Sequence, residues 1–547
     1  MSTSLLLSVA AAALVLRLLY SLVESIRHAS KARQLGCGSV PLYPSKDPLG
    51  ISNLFESLEA DKAKQIPKMT ERRFQEVCDR ENRDVLTFRI RQMGRETITT
   101  ADPKNIQAVL ATQFKDFELG VMRQRSLHPL LGTGIVSKVL THAHAGACRH
   151  TRHTRLTNEQ FTADGEAWTR SRGLLRPQFT REQISQLDLE EDHVQKAMMA
   201  LPVDGATGWT PDTDIQTIFF RLTIDSATEF LFGESVESQM AAVNGSSKDQ
   251  FAYYFDKSQW YSAHRARLEK LFFLANNKES RHSNDQVHAF VDHFVQNALD
   301  IVQNEKRNGI VDEEKSGPYV FLHALANTTQ DPIELRSQLL NILLAGRDTT
   351  ASLLSWTVLL LARHPATFHQ LRRAILDDFG SYKNPKPITF AGLKSCQPLQ
   401  HCLNESLRLF PVVPLNRRTA VRDTTIPRGG GPDGSQPIYV RKGQPVGYNV
   451  HLLHRRKDIW GPDAEEFRPE RWLNRKAGWD YIPFNGGPRI CIGQQFALTE
   501  TGYVLVRLLQ RFDDIQDVYP ERAIRYGLTL TSCPADPVTV RLHEAEA

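Results

Sequence analysis

The chain has few cysteines for its length, and their positions exclude several classes of protein. Its 547 residues include seven cysteines, an odd number: Cys37, Cys78, Cys148, Cys396, Cys402, Cys491 and Cys533. The scatter is not that of a disulfide framework, and no pair has the short spacing of a structural zinc site. We therefore expect reduced cysteines in a reducing compartment.

An excess of charge and a nucleotide-binding motif are also missing. Lys and Arg total 67 against 62 Asp and Glu, and a net charge of +5 does not favour nucleic acid as a partner. No G-x-G-x-x-G segment lies between a strand and a helix, so the chain has no dinucleotide-binding fingerprint. The glycine cluster in "PRGGGPDG" (Pro427–Gly434) has no following helix and no Lys-Ser/Thr, and we predict a hairpin turn there.

Long apolar runs are absent except at the N-terminus. Leu5 to Leu16 and Leu18 to Val23 are apolar, interrupted only by Arg17. About 19 such residues come close to one bilayer crossing. The basic residues Arg27, Lys31 and Arg33 follow the run, which predicts a cytosolic body. We therefore predict an N-terminal membrane anchor and linker over residues 1–35 and one domain over 36–547. A cleaved signal peptide is the alternative.

The rest of the chain has a mainly helical pattern with a minor β portion. Residues 163–415 are helical in pattern, 84–100 and 417–450 alternate like strands, and 523–542 are typical of a small hairpin. Asp331-Pro332 form a helix start and Pro365 a helix stop, which predicts a central helix of roughly 50 Å. Its centre, "AGRDTTA" (Ala345–Ala351), places glycine, a charged pair and two threonines where a buried helix disfavours them. Such a conflict indicates a functional site or a simple kink.

One cysteine lies in an unusual setting, "FNGGPRICIG" (Phe484–Gly493), just before a predicted helix from Gln494 to Phe512. Free N–H groups at the start of that helix would favour the thiolate form of Cys491. The glycines leave room for a large flat group, and Arg489 would lie beside an acidic part of it. These features fit an axial ligand to heme iron. A buried free cysteine is the alternative.

Five positions of that segment match the heme-binding signature of the cytochrome P450 monooxygenases, which the chain resembles: Phe484, Gly487, Arg489, Cys491 and Gly493. Further motifs follow the order of the family: Trp168-x-x-x-Arg172, Ala345-Gly346-x-Asp348-Thr349-Thr350, Glu405-x-x-Arg408 and Pro469-Glu470-Arg471-Trp472. The resemblance implies the P450 fold, mainly α with a minor β portion. In that fold heme lies between the long central helix and the cysteine-containing loop.

The resemblance also implies roles for particular side chains. Cys491 would be the axial thiolate ligand of heme b, and Thr349 with Asp348 would deliver protons during oxygen activation. The implied cofactor-binding set is Trp168, Arg172, Arg418, Phe484, Gly487, Arg489 and Gly493, with Arg417 as a rival to Arg418. Glu405, Arg408 and Arg471 would form a structural network that fixes the loop before Cys491.

The segments "AGRDTTA" (Ala345–Ala351), "RLFPVVPLNRRTA" (Arg408–Ala420) and "DTTIPRGGG" (Asp423–Gly431) most resemble the fungal branch that hydroxylates n-alkanes and fatty acids. The implied function is therefore a heme-dependent monooxygenase of that kind. It would insert one atom of O2 at a terminal or near-terminal carbon. Electrons would come from an NADPH-dependent cytochrome P450 reductase on the same endoplasmic reticulum membrane. Arg417 stands where an apolar residue is expected, and it would favour carboxylate substrates if it faces the substrate. The alternatives are another lipophilic substrate, a heme-thiolate isomerase or dehydratase, and a non-enzymatic heme protein.

Residues 136–160 interrupt the pattern with a segment that contains four histidines and Cys148. Its spacings are irregular, which argues against a metal site. Without it, Gly134-Ile135 would join Phe161 through the short connection typical of the resembled family. The segment can also be encoded with sequences like an intron donor and acceptor. We therefore interpret residues 136–160 as an insertion or a retained intron, which sequencing the transcript across the junction would distinguish.

Overall fold

The computed structural model describes residues 3–132, 164–180, 187–245, 250–308 and 320–546. The hypotheses for residues 136–160 fall outside these described residues.

Helices make up most of the described chain. They are α1 (Thr3–Gln34), α2 (Ile51–Lys62), α3 (Ile66–Glu81), α4 (Pro103–Gln107), α5 (Val121–Leu131), α6 (Gly165–Leu175), α7 (Asp188–Met199), α8 (Ile215–Phe232), α9 (Ser238–Val243), α10 (Gln250–Leu268), α11 (Lys278–Asn308), α12 (Phe321–Thr328), α13 (Pro332–Arg363), α14 (Pro365–Phe379), α15 (Phe390–Ser395), α16 (Gln397–Leu409), α17 (Val450–Leu453), α18 (Lys457–Trp460) and α19 (Gln494–Arg511).

The strands are short and lie in small sheets. They are β1 (Thr87–Gln92), β2 (Arg95–Thr100), β3 (Phe117–Glu118), β4 (Thr213–Asp214), β5 (Leu415–Ala420), β6 (Thr424–Gly430), β7 (Gln436–Val440), β8 (Pro445–Asn449), β9 (Phe512–Asp517), β10 (Tyr526–Leu528), β11 (Ser532–Pro534) and β12 (Thr539–Glu544). The largest sheet has the order β1-β2-β8-β5-β3, in which only β2 and β8 pair in parallel. The predicted fold class, mainly α with a minor β portion, is confirmed.

Two predicted hairpins have different outcomes. β6 and β7 pair across the glycine cluster, as predicted. The hairpin predicted over 523–542 is only partly right. β10 and β11 pair with each other, but β12 pairs with β9 because their apolar side chains complete the core below the central helix.

The central helix, α13, begins and ends where its sequence predicts. The Asp331 side chain accepts hydrogen bonds from the N–H groups of Ile333 (2.9 Å) and Glu334 (3.4 Å), and Pro365 follows its end. Its residues 335–344 belong to one hydrophobic core, and its residues 351–362 belong to another. The polar "AGRDTTA" centre therefore lies at the junction of two apolar cores.

The N-terminal helix contacts the rest of the chain through its last turns. Lys31 Nζ lies 2.6 Å from Asp423 Oδ2, and the His28 ring nitrogen lies 2.9 Å from the Tyr439 hydroxyl on β7. Of the residues described, no helix combines the length and apolar character needed to cross a membrane.

Candidate functional site: a cysteine loop facing the central helix

The Cys491 segment is held by close backbone contacts. The Cys491 N–H donates to the Phe484 carbonyl at 2.9 Å, which closes the loop ahead of α19. Gly487 has φ +66°, and a Cβ at this position would lie 1.9 Å from the Leu110 carbonyl oxygen. Only glycine fits there, both for its backbone angle and for lack of space. At Gly493, by contrast, a Cβ would come no closer than 3.8 Å to its nearest neighbour.

The Cys491 thiol is accessible although much of the protein surrounds it. The residue is accessible by surface area, yet desolvation by burial raises the pKa of its thiol. The thiol is therefore open to a bound group, while the protein around it disfavours its charged form. The Gly493 N–H and the Arg172 charge lower the same pKa. The predicted donors at the helix start are therefore present, but burial outweighs them, and a bound cation would be needed to hold the thiolate.

Trp168 lies close to two arginines of the predicted cofactor-binding set. The Arg489 guanidinium lies 4.6 Å from the Trp168 ring centroid, and that of Arg172 lies 5.8 Å from it. Arg172 also donates to the carbonyl of Ile490, next to the cysteine (3.0 Å). Arg489 donates to Asp164 at 2.8 Å. The structure thus brings three predicted site residues together from segments more than 300 positions apart along the chain.

An excess of positive charge surrounds this group. Arg418 is buried and donates to Asn416 Oδ1 (3.2 Å), and Arg123 of α5 donates to the same oxygen (3.0 Å). Burial and the charge of Arg418 together lower the pKa of Arg123 to about 10, and they do the same for Arg489 although Asp164 raises its pKa. Guanidiniums that depress one another in this way form a site for an anionic group. Arg123 was missed in the sequence, because nothing in its local pattern separates it from Arg125.

Arg417 does not share this site. Its Nη1 lies 2.9 Å from Glu269 Oε1, in the short helical turn that follows α10. An ion pair within the protein accounts for Arg417, the first of the two arginines in Asn416-Arg417-Arg418. The reason for inferring a carboxylate substrate from Arg417 is thereby removed.

The centre of α13 carries the predicted acid and alcohol. The Thr349 hydroxyl donates to the Ala345 carbonyl one turn back, at 2.5 Å. Asp348 is buried, and desolvation raises its pKa to about 6 although Arg347, 3.1 Å away, lowers it. A Cβ at Gly346 would meet nothing within 4 Å, so open space adjoins this turn. A carboxyl that titrates near neutral pH beside a hydroxyl can take up and release protons.

Glu405, Arg408 and Arg471 form the predicted buried network. The Glu405 carboxylate accepts from Arg408 Nη2 (2.8 Å) and Nε (2.9 Å) and from Arg471 Nε (3.3 Å). Arg408 also donates to the carbonyls of His454, Ala464 and Glu466. The network ties α16 to the segment that leads into the cysteine loop.

The donor set fits a heme group. The accessible Cys491 thiol would supply one soft ligand to the heme iron, and the glycine at 487 lets the loop approach closely. The guanidiniums of Arg123, Arg418 and Arg489 suit the carboxylates of propionate side chains.

Known proteins are similar to this chain in sequence and in fold. The cytochrome P450 family model matches residues 121–521. The cytochrome P450 monooxygenase g430 of Fusarium is 48% identical over 96% of this chain and 88% of its own length. Cytochrome P450 52A12 of Debaryomyces hansenii is 43% identical (96% and 95% covered), and cytochrome P450 52A4 of Candida maltosa is 46% identical (83% and 80% covered).

A solved structure supports the fold by itself. The crystal structure of the cytochrome P450DA heme domain has a TM-score of 0.70 at 21% identity, covering 93% of this chain and 98% of that one. The family model spans more than half of the chain, and the relatives match it nearly end to end. The chain belongs to the cytochrome P450 family.

Proposed function

We propose that the protein is a heme-dependent monooxygenase that hydroxylates long-chain aliphatic compounds, n-alkanes or fatty acids, at a terminal or near-terminal carbon. The observation that carries the monooxygenase assignment is the buried Asp348 beside Thr349, because an isomerase, a dehydratase or a heme sensor needs no proton relay there. The aliphatic class follows from the motifs that resemble the fungal alkane and fatty-acid hydroxylases and from the 43–48% identity to fungal P450 relatives.

The cofactor is heme with a cysteine thiolate ligand, and the electrons come from NADPH through a reductase. When bound, heme supplies the activation of O2. We assign Cys491 as its axial ligand. Arg123, Arg418 and Arg489 would hold the propionates, with Trp168 and Arg172 packed beside Arg489. Gly487 would set the distance between the loop and the rest of the protein.

The chain's own groups would control protons and water. Asp348 can hold a proton near neutral pH, since burial raises its pKa to about 6. Thr349 can turn its hydroxyl from the Ala345 carbonyl toward the adjoining open space and pass a proton there. The apolar cores at both ends of α13 would exclude bulk water.

Product analysis tests the proposal. Membranes containing the protein and an NADPH-dependent reductase are supplied with dodecane, dodecanoic acid or an aromatic compound, and products are identified by mass spectrometry. We expect NADPH- and O2-dependent hydroxylation of the aliphatic compounds, and none from the Cys491→Ser variant. Conversion without NADPH would contradict the monooxygenase assignment, and oxidation of the aromatic compound alone would contradict the aliphatic one.

Thr349→Ala is the sharper variant, with Thr357→Ala as its matched control in the same helix. We expect Thr349→Ala to divert NADPH-derived electrons into hydrogen peroxide while the control stays coupled. Unchanged coupling in Thr349→Ala would show that this hydroxyl only shapes the helix.

We also propose that the protein works at the endoplasmic reticulum membrane, with residues 1–35 as its anchor and the catalytic body in the cytosol. Exposed apolar side chains on α1 support this, among them Leu16, Leu19 and Val23. Phe273 and Leu274, exposed by 54% and 64%, add a second apolar patch after α10. Phe251 and Phe255 do not belong to it, because they stack in the core with Phe290.

Deleting residues 1–35 tests the anchor. We expect much of the protein to leave the membrane fraction with its heme still bound. The full-length variant Phe273→Ser with Leu274→Ser serves as the comparison. Complete retention of the truncated protein would show that residues 1–35 are not the main anchor.

A further inference from the structure

Arg347 is buried at the centre of α13 and is shared by two carboxylates. Its Nη1 pairs with Asp348 Oδ1 at 3.1 Å and with Asp256 of α10, and its Nη2 lies 3.3 Å from the second Asp256 oxygen. The rings of Phe220 and Phe255 lie 5.0 and 5.8 Å from the guanidinium carbon. The cation is therefore enclosed by aromatic side chains and reached by one carboxylate from each helix.

The two carboxylates differ sharply in exposure. The side chain of Asp256 is 58% exposed, whereas that of Asp348 is 5% exposed. Gln259, three residues after Asp256 on the same face of α10, is buried and hydrogen-bonds Asp348. A continuous line of polar groups thus leads from solvent at Asp256, through Arg347, to Asp348, the residue that precedes Thr349 in the helix.

A purely structural link between α10 and α13 does not account for this arrangement. One carboxylate is enough to compensate a buried guanidinium, and apolar side chains of similar volume stabilise such a position as well as an ion pair does. Here the Arg347 guanidinium is shared between the Asp256 carboxylate in solvent and the Asp348 carboxylate in the interior. Because the guanidinium is shared, the ion pair between Arg347 and Asp348 is weaker.

We propose that Asp256 is a positioning residue for proton delivery: it holds one edge of the Arg347 guanidinium, so that Asp348 can take up a proton from solvent and release it toward Thr349. This inference rests on the proposed function, since it assigns the route by which protons reach the same site.

The groups around Asp348 determine whether a substitution raises or lowers its pKa. Burial raises its pKa, Arg347 and the Gln259 hydrogen bond lower it, and the Asp256 charge raises it. Cys533 on β11 also lies near, but burial raises its pKa to about 12, so it stays neutral. In Asp256→Asn one negative charge disappears and Arg347 turns wholly to Asp348. Both changes lower the pKa of Asp348, and each unit reduces its protonated fraction at neutral pH about ten-fold.

The test uses the full-length holoprotein with reductase. For Asp256→Asn we expect the high-pH limb of the kcat profile to move to lower pH by about one unit. At neutral pH, product formation should fall about ten-fold and peroxide should rise. Asp256→Glu should restore the wild-type profile. Lys257→Gln, which removes an α10 to α11 ion pair with Glu279 (3.3 Å) and no contact to Arg347, should behave as wild type.

Gln259→Leu should raise the pKa of Asp348, whereas Asp256→Asn should lower it. It removes a hydrogen bond to the Asp348 carboxylate, so the limb should move to higher pH. It also keeps the test decisive if Asp256→Asn loads heme poorly. An unshifted profile in Asp256→Asn, failure of Asp256→Glu to restore it, or a shift of Gln259→Leu to lower pH would each overturn the proposal.

A measurement without turnover separates this proposal from the proposed function. The carboxyl absorption of Asp348 is titrated by infrared difference spectroscopy in the resting holoprotein, with Asp348→Asn as the reference. A downward shift of its midpoint in Asp256→Asn supports the positioning role even if the wild type oxidises none of the substrates offered. An unchanged midpoint overturns the positioning role even if the wild type is an active hydroxylase.

Discussion

Replacing Glu405 with glutamine should destabilise the protein strongly, because it removes a charge on which two buried arginines depend. Glu405 and Arg408 are both fully buried. Five donors converge on the carboxylate: Arg408 Nε and Nη2, Arg471 Nε, Trp472 Nε1 and the Arg468 N–H. Glutamine keeps the shape of glutamate, so the change tests charge and hydrogen bonding and leaves volume aside.

The magnitude follows from the hydrogen bonds lost. One carboxylate oxygen accepts three of the five hydrogen bonds and the other accepts two. Whichever oxygen becomes the amide nitrogen, at least two donors lose their acceptor and face another donor. Arg408 is then a buried cation without its counter-charge. Breaking a buried ion pair on one side costs about 3–5 kcal/mol in the free energy of unfolding.

Urea-induced unfolding followed by tryptophan fluorescence measures this cost. The matched control is Asp212→Asn, which removes the charge from the exposed ion pair with Arg541, where both side chains are about half exposed. The control should cost less than about 1 kcal/mol. If Glu405→Gln costs no more than Asp212→Asn, the network does not fix α16 to the cysteine loop and the reasoning is refuted.

Three further outcomes are expected. Gly487→Ala should prevent formation of a thiolate-type spectrum in the reduced carbon-monoxide complex, because its Cβ would lie 1.9 Å from a carbonyl oxygen, whereas Gly493→Ala should form it. Cys491→Ser should lose the same spectrum while Cys533→Ser keeps it. Burial raises the pKa of Glu500 to about 7, so the folded protein binds a proton that the unfolded chain releases above about pH 4. Stability should therefore fall, by on the order of 3 kcal/mol, as the pH rises from about 4 to 7, and Glu500→Gln should flatten this slope.

Local signals in the sequence predicted the parts of the structure that depend on local chemistry. The bounds of the central helix follow from Asp331, Pro332 and Pro365, which act within one helical turn. The close approach of Gly487 to the Leu110 carbonyl could be predicted because only glycine adopts φ +66° easily and leaves space for a carbonyl. Any other residue type at these positions would cost free energy, and the residue types found there therefore indicate the local structure.

Contacts between distant segments could not be read in this way. Asp256 and Arg347 are 91 positions apart, and Arg123 reaches Asn416 across 293. A surface-type aspartate and an ordinary arginine have no local signature, because their partners are chosen by how α10, α5 and β5 pack.

Arg408 and Arg347, two of the buried arginines among the described residues, show how hydrogen bonding separates a fixed side chain from one that can move. All three nitrogens of Arg408 donate to described acceptors, and the whole side chain is shielded from solvent. Any movement of Arg408 would leave donors unpaired in the interior, which costs about 1–3 kcal/mol for each group. Arg347 is equally buried, but its Nε finds no partner among the described residues, and one of its carboxylates lies in solvent. Turning Arg347 toward Asp348 leaves Asp256 in solvent, and turning it toward Asp256 leaves Asp348 with its hydrogen bond from Gln259. The chain therefore holds rigid charge next to the cysteine loop, where the geometry of the metal ligand must not change. It holds exchangeable charge in the helical turn of Thr349, where the proposed function requires protons to move.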